Sequence, residues 1–204
     1  MGTWYPLGRL CTDSGPNKST TQGPSRMQLS PELTKAYNDQ IQLEFESSFA
    51  YLQMGADFEL RSLPGMASWM RLQSGEEHGH AMKFIQFVLD RGAKLELKAL
   101  SAPAPTPDTV VATFEVALHH EQRVTKAIHD LYSKALDNHD YASLPLLQWF
   151  VNEQVEEEAT VSTILDRLKM VGDDRTGLLF LDRELGARTG TVDPAMADGA
   201  DAPA

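Results

Sequence analysis

Two stretches of the chain carry ligand-type side chains at an interval that suits metal binding. In GEEHGHAM, residues 75–82, Glu77 and His80 stand three apart, and in LQWFVNEQVEEE, residues 147–158, Gln154 and Glu157 repeat the interval. Residues three apart on a helix share one face, with Cβ atoms about 5–6 Å from each other, so each pair can grip a single ion. Glu44 and Glu121 supply further carboxylates from other parts of the chain. A carboxylate-rich set with one imidazole suits iron or manganese better than zinc, which prefers fewer and softer ligands.

Helices must position these residues, and the sequence marks where they start and stop. Ser30 as N-cap, Pro31 at the first position and Glu32 behind it open a helix expected to run to Leu60. LPG at 63–65 breaks it, and a second helix follows from about Gly65 to Arg91, closed by Gly92. The stretch AKLELKALSAPAPTP holds three prolines and little pattern, which predicts an extended connection. A third helix is expected from Pro107 and Asp108 to about Asp137, and a fourth from about Tyr141 to Val171, ended by Gly172. A short amphipathic fifth follows over roughly 176–187. Short links make the first two helices, and the third and fourth, antiparallel neighbours, while the long link can cross the length of a bundle. The expected fold is therefore all-α: a four-helix bundle with a long crossover between helices 2 and 3 and a short fifth C-terminal helix.

Bundle helices bury residues at alternating steps of three and four. That step gives Tyr37, Ile41, Glu44, Ser48, Tyr51, Gly55 and Phe58 on the first helix, and Met66, Met70, Gln73, Glu77, His80, Phe84 and Phe87 on the second. It gives Val110, Phe114, Ala117, Glu121, Val124, Ile128 and Leu131 on the third, and Leu147, Phe150, Gln154, Glu157, Val161, Ile164 and Leu168 on the fourth. Each stripe carries its acid near the helix midpoint, and antiparallel packing brings midpoints together. Burying an ion costs several kcal/mol, so four carboxylates at one level need protons or a bound cation. No Lys lies on the traced stripes and no Arg at that level. Two divalent cations would match the four charges. A single Glu on an apolar stripe is ordinarily a partly exposed or protonated residue; polar ligand types on all four stripes at one depth point instead to metal.

Composition excludes several other functions. The chain has 204 residues, 42% of them hydrophobic, enough for one domain with a substantial core. A net charge of −11 argues against general nucleic-acid binding and mildly for attracting cations. The single cysteine, Cys11, rules out an internal disulfide framework and any CxxC knuckle, which suits a reducing cytosol. The sequence shows no apolar run long enough to span a membrane and no signal-like amino terminus, so a cytoplasmic protein is expected. Residues 1–29 and 189–204, rich in Gly, Ser, Thr, Pro and Ala, are expected to be flexible tails around a domain at 30–188, and Met27 is a candidate natural start.

With these residues in view, the chain resembles the ferritin family, in its bacterial non-haem form. QLEFESSFAYLQM (42–54), GEEHGHAM (75–82), HHEQ (119–122) and LQWFVNEQVEEE (147–158) resemble that family's four ligand segments in order and separation, and the likeness covers roughly Leu33 to Arg188. It implies a ferritin-like bundle with a ferroxidase centre holding two irons per subunit. Glu44, Glu77 as bridge and His80 would hold the first iron; Glu77, Glu121 and Glu157 the second, with Gln154 beside it. Tyr51 and Trp149 match a tyrosine and a tryptophan near the centre, their plain alternative being core packing. Glu76, Glu153 and Glu156 correspond to a third iron site, or else form a solvated acidic face.

Departures narrow the resemblance. The second ligand pair is Gln154-x-x-Glu157 rather than a repeated Glu-x-x-His. His78 stands where haem-binding relatives carry methionine, and a lone exposed histidine is ordinarily only that, so no haem is expected. The fifth helix is the element that 24-subunit ferritins use around their four-fold axes. The implied function is iron storage: oxidation of Fe(II) by O2 or H2O2 and deposition of Fe(III) mineral in a shell of 24 copies. Two alternatives stand beside it. A rubrerythrin-like di-iron oxidase or peroxidase would commonly carry a cysteine set absent here. A DNA-protecting shell would favour basic tails, yet residues 1–29 offer only Arg9, Lys18 and Arg26 against Asp13.

Overall fold

The computed structural model describes residues 27–188. Of the tails expected at 1–29 and 189–204, residues 1–26 and 189–204 lie outside the described residues, while Leu29 is buried in the core. Five helices follow one another: α1 (Pro31–Leu60), α2 (Pro64–Asp90), α3 (Val110–Asp137), α4 (Leu144–Val171) and α5 (Arg175–Leu185). The first four form the bundle, with α1 paired to α2 and α3 to α4, and α5 lies against α2.

The ends of these helices show why the chain turns where it does. Ser30 Oγ accepts from the Leu33 amide at 3.2 Å, and Pro31 sits where a missing N–H costs nothing. At the far end of α1 the Leu63 amide reaches back to the Phe58 carbonyl, and the Ser62 amide to that of Glu59. This closure needs a left-handed residue, and Ser62 takes it at φ 59°. The same closure ends α2 at Gly92, φ 64°, and α3 at His139, φ 53°. Two of the three tight turns are therefore made without glycine. The fourth helix begins later than its pattern suggests, because Tyr141–Ser143 form a short 3-10 turn in which Ser143 Oγ donates to Asp140. Likewise α3 starts at Val110 rather than Pro107, since Thr109 Oγ1 accepts from the Ala112 amide and caps it.

The crossover, residues 93–109, is irregular yet fastened along α1. Asn38 donates to the Lys94 carbonyl at 3.0 Å and accepts from the Glu96 amide at 2.7 Å. Gln42 donates to the Ala99 carbonyl, Glu46 accepts from the Ser101 amide, and Arg61 donates to the Asp108 carbonyl. Asn38, Gln42 and Glu46 stand four apart, so one face of α1 presents a polar group each turn to a strand-like segment whose own backbone has no ladder to join.

Two apolar clusters fill the bundle, one on either side of a polar level. One contains Tyr51, Phe58, Met66, Trp69, Met70, Phe114, Val161 and Leu168. The other contains Leu33, Tyr37, Ile41, Phe84, Val124, Ile128, Leu147 and Phe150, with the rings of Phe84 and Phe150 stacked at 3.9 Å. On α1 the change falls between Ile41 and Tyr51, and on α3 between Ala117 and Val124, which leaves Glu44 and Glu121 in the interval.

α5 closes one end of the bundle by completing α2. The first turn of α2 has no side-chain cap of its own; the buried Asp182 of α5 accepts from the Met66 amide at 2.8 Å and supplies one. The approach is close enough that a Cβ on Gly65 would stand 1.7 Å from the Asp182 carbonyl oxygen. Gly65→Ala is therefore expected to force α5 off α2 and lower stability by about 1–3 kcal/mol or more, as overpacking does. Gly75→Ala, whose added methyl meets nothing within 4 Å, should be neutral or gain up to about 1 kcal/mol of helix propensity. Denaturant melts of the two variants check this, and equal effects would contradict the docking argument.

Candidate metal centre

The structure brings Glu44, Glu77, His80, Glu121, Gln154 and Glu157 to the polar level, and all six are buried. Each comes from the face that its helix turns inward, because the same step that buries the apolar residues on either side also buries the one between them. Glu44, Glu77 and His80 each offer a ligand atom, and these atoms lie within 4.8 Å of one another. Among the described residues this is the one group of three ligand side chains so gathered. Glu44 Oε2, Glu77 Oε2 and His80 Nδ1 have no hydrogen-bond partner, with the last two 3.5 Å apart. Buried polar atoms are normally satisfied. Three orphans on neighbouring ligand side chains fit a cation held among them.

The other half of the centre is tied by hydrogen bonds. The Tyr51 hydroxyl donates to Glu121 Oε1 in a short contact. Gln154 Nε2 lies within hydrogen-bond reach of Glu121 Oε2 at 3.4 Å, the Glu121 carbonyl at 3.3 Å and Thr125 Oγ1 at 3.3 Å. Gln73 donates to Glu157 Oε2 at 2.8 Å, and Gln40 donates to Glu44 Oε1 at 2.8 Å. Amides thus hold one oxygen of Glu44 and one of Glu157, while Glu121 is held at one oxygen by a phenol and at the other by an amide, as outer partners of metal sites do.

Burial sets the protonation of these groups. It lifts Glu44 and Glu77 well above the usual carboxylate range, reinforced by the charges of Glu77 on Glu44 and of Glu121 on Glu77. It lifts Glu121 and Glu157 to about 7, the hydrogen bonds from Tyr51 and Gln154 drawing Glu121 back down and the charge of Glu121 raising Glu157 further. Metal-free, the cluster holds protons; a cation would displace them.

The surrounding candidates separate. Tyr51 is fully buried and edge-on to Trp69 at 6.2 Å. Trp149 sets its edge against His80 at 5.7 Å, with Lys83 Nζ over its ring at 3.6 Å. Glu76, Glu153 and Glu156 do not form a converged ligand group: Glu76 pairs with Arg188 at 3.1 Å, Glu153 is half-buried and Glu156 exposed. His78 is exposed, edge-on to Phe45 at 5.5 Å.

Four partners were not assigned roles from sequence. Gln40 was legible, standing one turn before Glu44 on the same face. Gln73 lies on the traced stripe but a lone glutamine there carries no chemistry until its neighbour is known. Thr125 follows Glu121 by one turn. Arg188 corrects the expectation that no arginine reaches this level: it lies beyond α5, and its guanidinium contacts Gln73 and Glu76. Helical spacing within the bundle could not have found it.

The chain is also similar to known proteins. Residues 34–171 match the ferritin family, described as a ferritin-like domain. The chain is 38% identical over 161 residues to a bacterial non-heme ferritin of Staphylococcus aureus, covering 79% of this chain and 97% of that protein. It is 36% identical over 158 residues to a probable bacterial non-heme ferritin-like protein of Haemophilus influenzae, covering 78% and 96%. Among solved structures, an open pore ferritin from the archaeon Archaeoglobus fulgidus aligns with a TM-score of 0.78 at 42% identity, covering 79% of this chain and 98% of that one. A closed form of the A. fulgidus ferritin, engineered by mutagenesis, aligns at 0.79 and 42%, covering 80% and 100%.

The raised carboxylates make a prediction about pH. From the usual 4.5 to about 7, Glu121 and Glu157 hold protons in the fold that they lose in the unfolded chain. The unfolding free energy therefore falls as pH rises through that window and stays low above it, by on the order of 3 kcal/mol per group. The metal-free protein should melt lower near pH 7.5 than near pH 5, Mn(II) should reverse the loss with release of protons, and Glu121→Gln should flatten the slope. Melting curves with and without Mn(II) test it; an equal slope in the variant would show that the cluster is not its source.

Proposed function

The chain belongs to the ferritin family, and on that premise we propose that it stores iron, oxidising Fe(II) at the buried centre and holding the Fe(III) product as mineral inside a shell of 24 copies. The observation that carries this reading is the convergence of Glu44, Glu77 and His80 on one point with orphaned ligand atoms, beside two more buried carboxylates. Fe(II) is the substrate. Glu44, Glu77 and His80 take one ion, Glu77, Glu121 and Glu157 the other, and Glu77, whose charge acts on both halves, bridges them.

Entry of two ions displaces the protons that burial keeps on these carboxylates. The ligand set is hard and anionic, so it favours Fe(III) over Fe(II) and makes the ions easier to oxidise. Each Fe(II) gives one electron. Two together reduce O2, with two protons, to H2O2, or reduce H2O2, with two protons, to two waters. Tyr51 holds Glu121 during the change of charge, and its buried phenol is placed beside the reacting pair. Fe(III) then hydrolyses and leaves for the mineral. A third ion at Glu76, Glu153 and Glu156 requires Glu76 to exchange Arg188 for that ion.

Assembly is supported from two directions. Leu179 and Phe180 on α5 are 60% and 67% exposed in the single chain, an apolar edge suited to contact between copies. The relatives solved from A. fulgidus are ferritins described by their pores and by open and closed forms. No helix among the described residues is long and apolar enough to cross a membrane, and we place the particle in the cytoplasm.

Aerobic Fe(II) addition to the assembled protein, with iron counted per chain and native mass spectrometry for copy number, tests the proposal. Storage predicts uptake far beyond the two or so ions per chain of a di-iron centre. An oxidase without a store would stop near that number, and an inert shell would take up little. Glu77→Ala should lower the initial oxidation rate at least 10-fold, and Tyr51→Phe should slow turnover less. Native rates in Glu77→Ala would overturn the ligand assignment.

A further inference from the structure

Arg188 lies where the chain leaving α5 returns onto α2. α5 ends against the start of α2, with Gly186 so close to Gly65 that an added Cβ would stand 2.8 Å from its Cα. Gln73 is eight residues further along α2, about 12 Å. Residues 186 and 187 form a turn, with the Ala187 amide donating to the Glu184 carbonyl and the Arg188 amide to that of Leu185, and the long arginine side chain reaches from there along α2. The guanidinium sits over the Trp69 ring at 5.6 Å, donates through Nη1 to Gln73 Oε1, and donates through Nη2 to both oxygens of Glu76 at 3.1 Å.

Gln73 is fully buried and passes this contact inward, its Nε2 donating to Glu157 Oε2 at 2.8 Å. Chemistry fixes the direction. A guanidinium only donates, so the amide can meet it only with its oxygen, which turns the NH2 group to Glu157. With an ion bound, the Glu157 carboxylate only accepts, and so it demands the same orientation. The amide is clamped from both ends, and one Glu157 oxygen is committed to it.

We propose that Arg188 is a positioning residue for the second ion of the centre, acting through Gln73 to set the orientation of Glu157. The inference rests on the reading of the centre as a two-ion site. The guanidinium is suited to it because a planar fork reaches Gln73 and Glu76 together, whereas a lysine head is a compact point charge. It also ties the docking of α5 to the iron chemistry, since Gly65, Asp182 and Gly186 determine where residue 188 begins.

Co(II) titration of the assembled, metal-free protein, followed by visible d–d absorption, tests the proposal. The native chain is expected to take up two Co(II) in two steps. Arg188→Gln should weaken the second by about 10-fold, the cost of losing an outer-shell partner, and leave the first, at Glu44, Glu77 and His80, unchanged. In a Gln73→Leu background, Arg188→Gln should add nothing, because the coupling runs through that amide. In Fe(II) oxidation the single variant should raise KM more than it lowers kcat. Should Arg188→Gln fail to assemble, Arg188→Lys, which can keep the pairing with Glu76 but not the fork, should show the same selective loss. An unchanged second step, equal weakening of both steps, or additive effects of the two substitutions would overturn the role of Arg188. A native chain that takes up no Co(II) would instead overturn the reading of the centre on which it rests.

Discussion

Charge balance in one cross-section of the bundle constrains everything around it. Glu44, Glu77, Glu121 and Glu157 are withdrawn from water at the same depth, where an unpaired ion costs several kcal/mol and like charges repel. The fold meets that condition in two ways at once. Metal-free, protons stay on carboxylates whose affinity for them burial has raised; in the proposed loaded state, divalent cations would replace those protons. On the proposed reading, the same carboxylates that destabilise an empty bundle at neutral pH are what would draw the ions in, between two apolar clusters that flank the level.

Around that level, the hydrogen bonds are asymmetric. Glu121 and Glu157 are tied by Tyr51, Gln154 and Gln73, while Glu44 keeps one tie to Gln40 and Glu77 and His80 leave atoms unpartnered. One half of the centre therefore has open ligand atoms before any ion arrives, and the other is oriented by amides and a phenol. Neutral donors suit this task, because they direct a carboxylate without cancelling the charge that a cation needs.

The rest of the molecule serves to hold four helices in register. The crossover is fixed to α1 by Asn38, Gln42, Glu46 and Arg61, which lets a long connection traverse the bundle without a ladder of its own. At the other side α5 supplies the cap that α2 lacks and carries Arg188 back to the edge of the centre. A rubrerythrin-like oxidase would need the same four carboxylates; what sets the storage reading apart is the fifth helix with its exposed Leu179 and Phe180, together with relatives that are ferritins over nearly their whole length.

The sequence by itself determined the helices, the stripes and the six residues of the polar level. Those features rest on local rules: a Ser-Pro start, a step of three and four, and the fact that a position flanked by core residues on its own stripe is buried too. Helix ends were legible only approximately, because Ser62 and His139 adopt left-handed turns that their residue types do not announce, and Thr109 caps the third helix two residues after the Pro107 start that the pattern marks. What only the tertiary structure decided is which partners fix each carboxylate: the pairing of Tyr51 with Glu121, of Gln73 with Glu157, and of Arg188 with Gln73 and Glu76. Those contacts join residues 70, 84, 115 and 112 positions apart. Spacing along one helix carries no information about such distances, which are set by how whole helices pack and by where α5 docks.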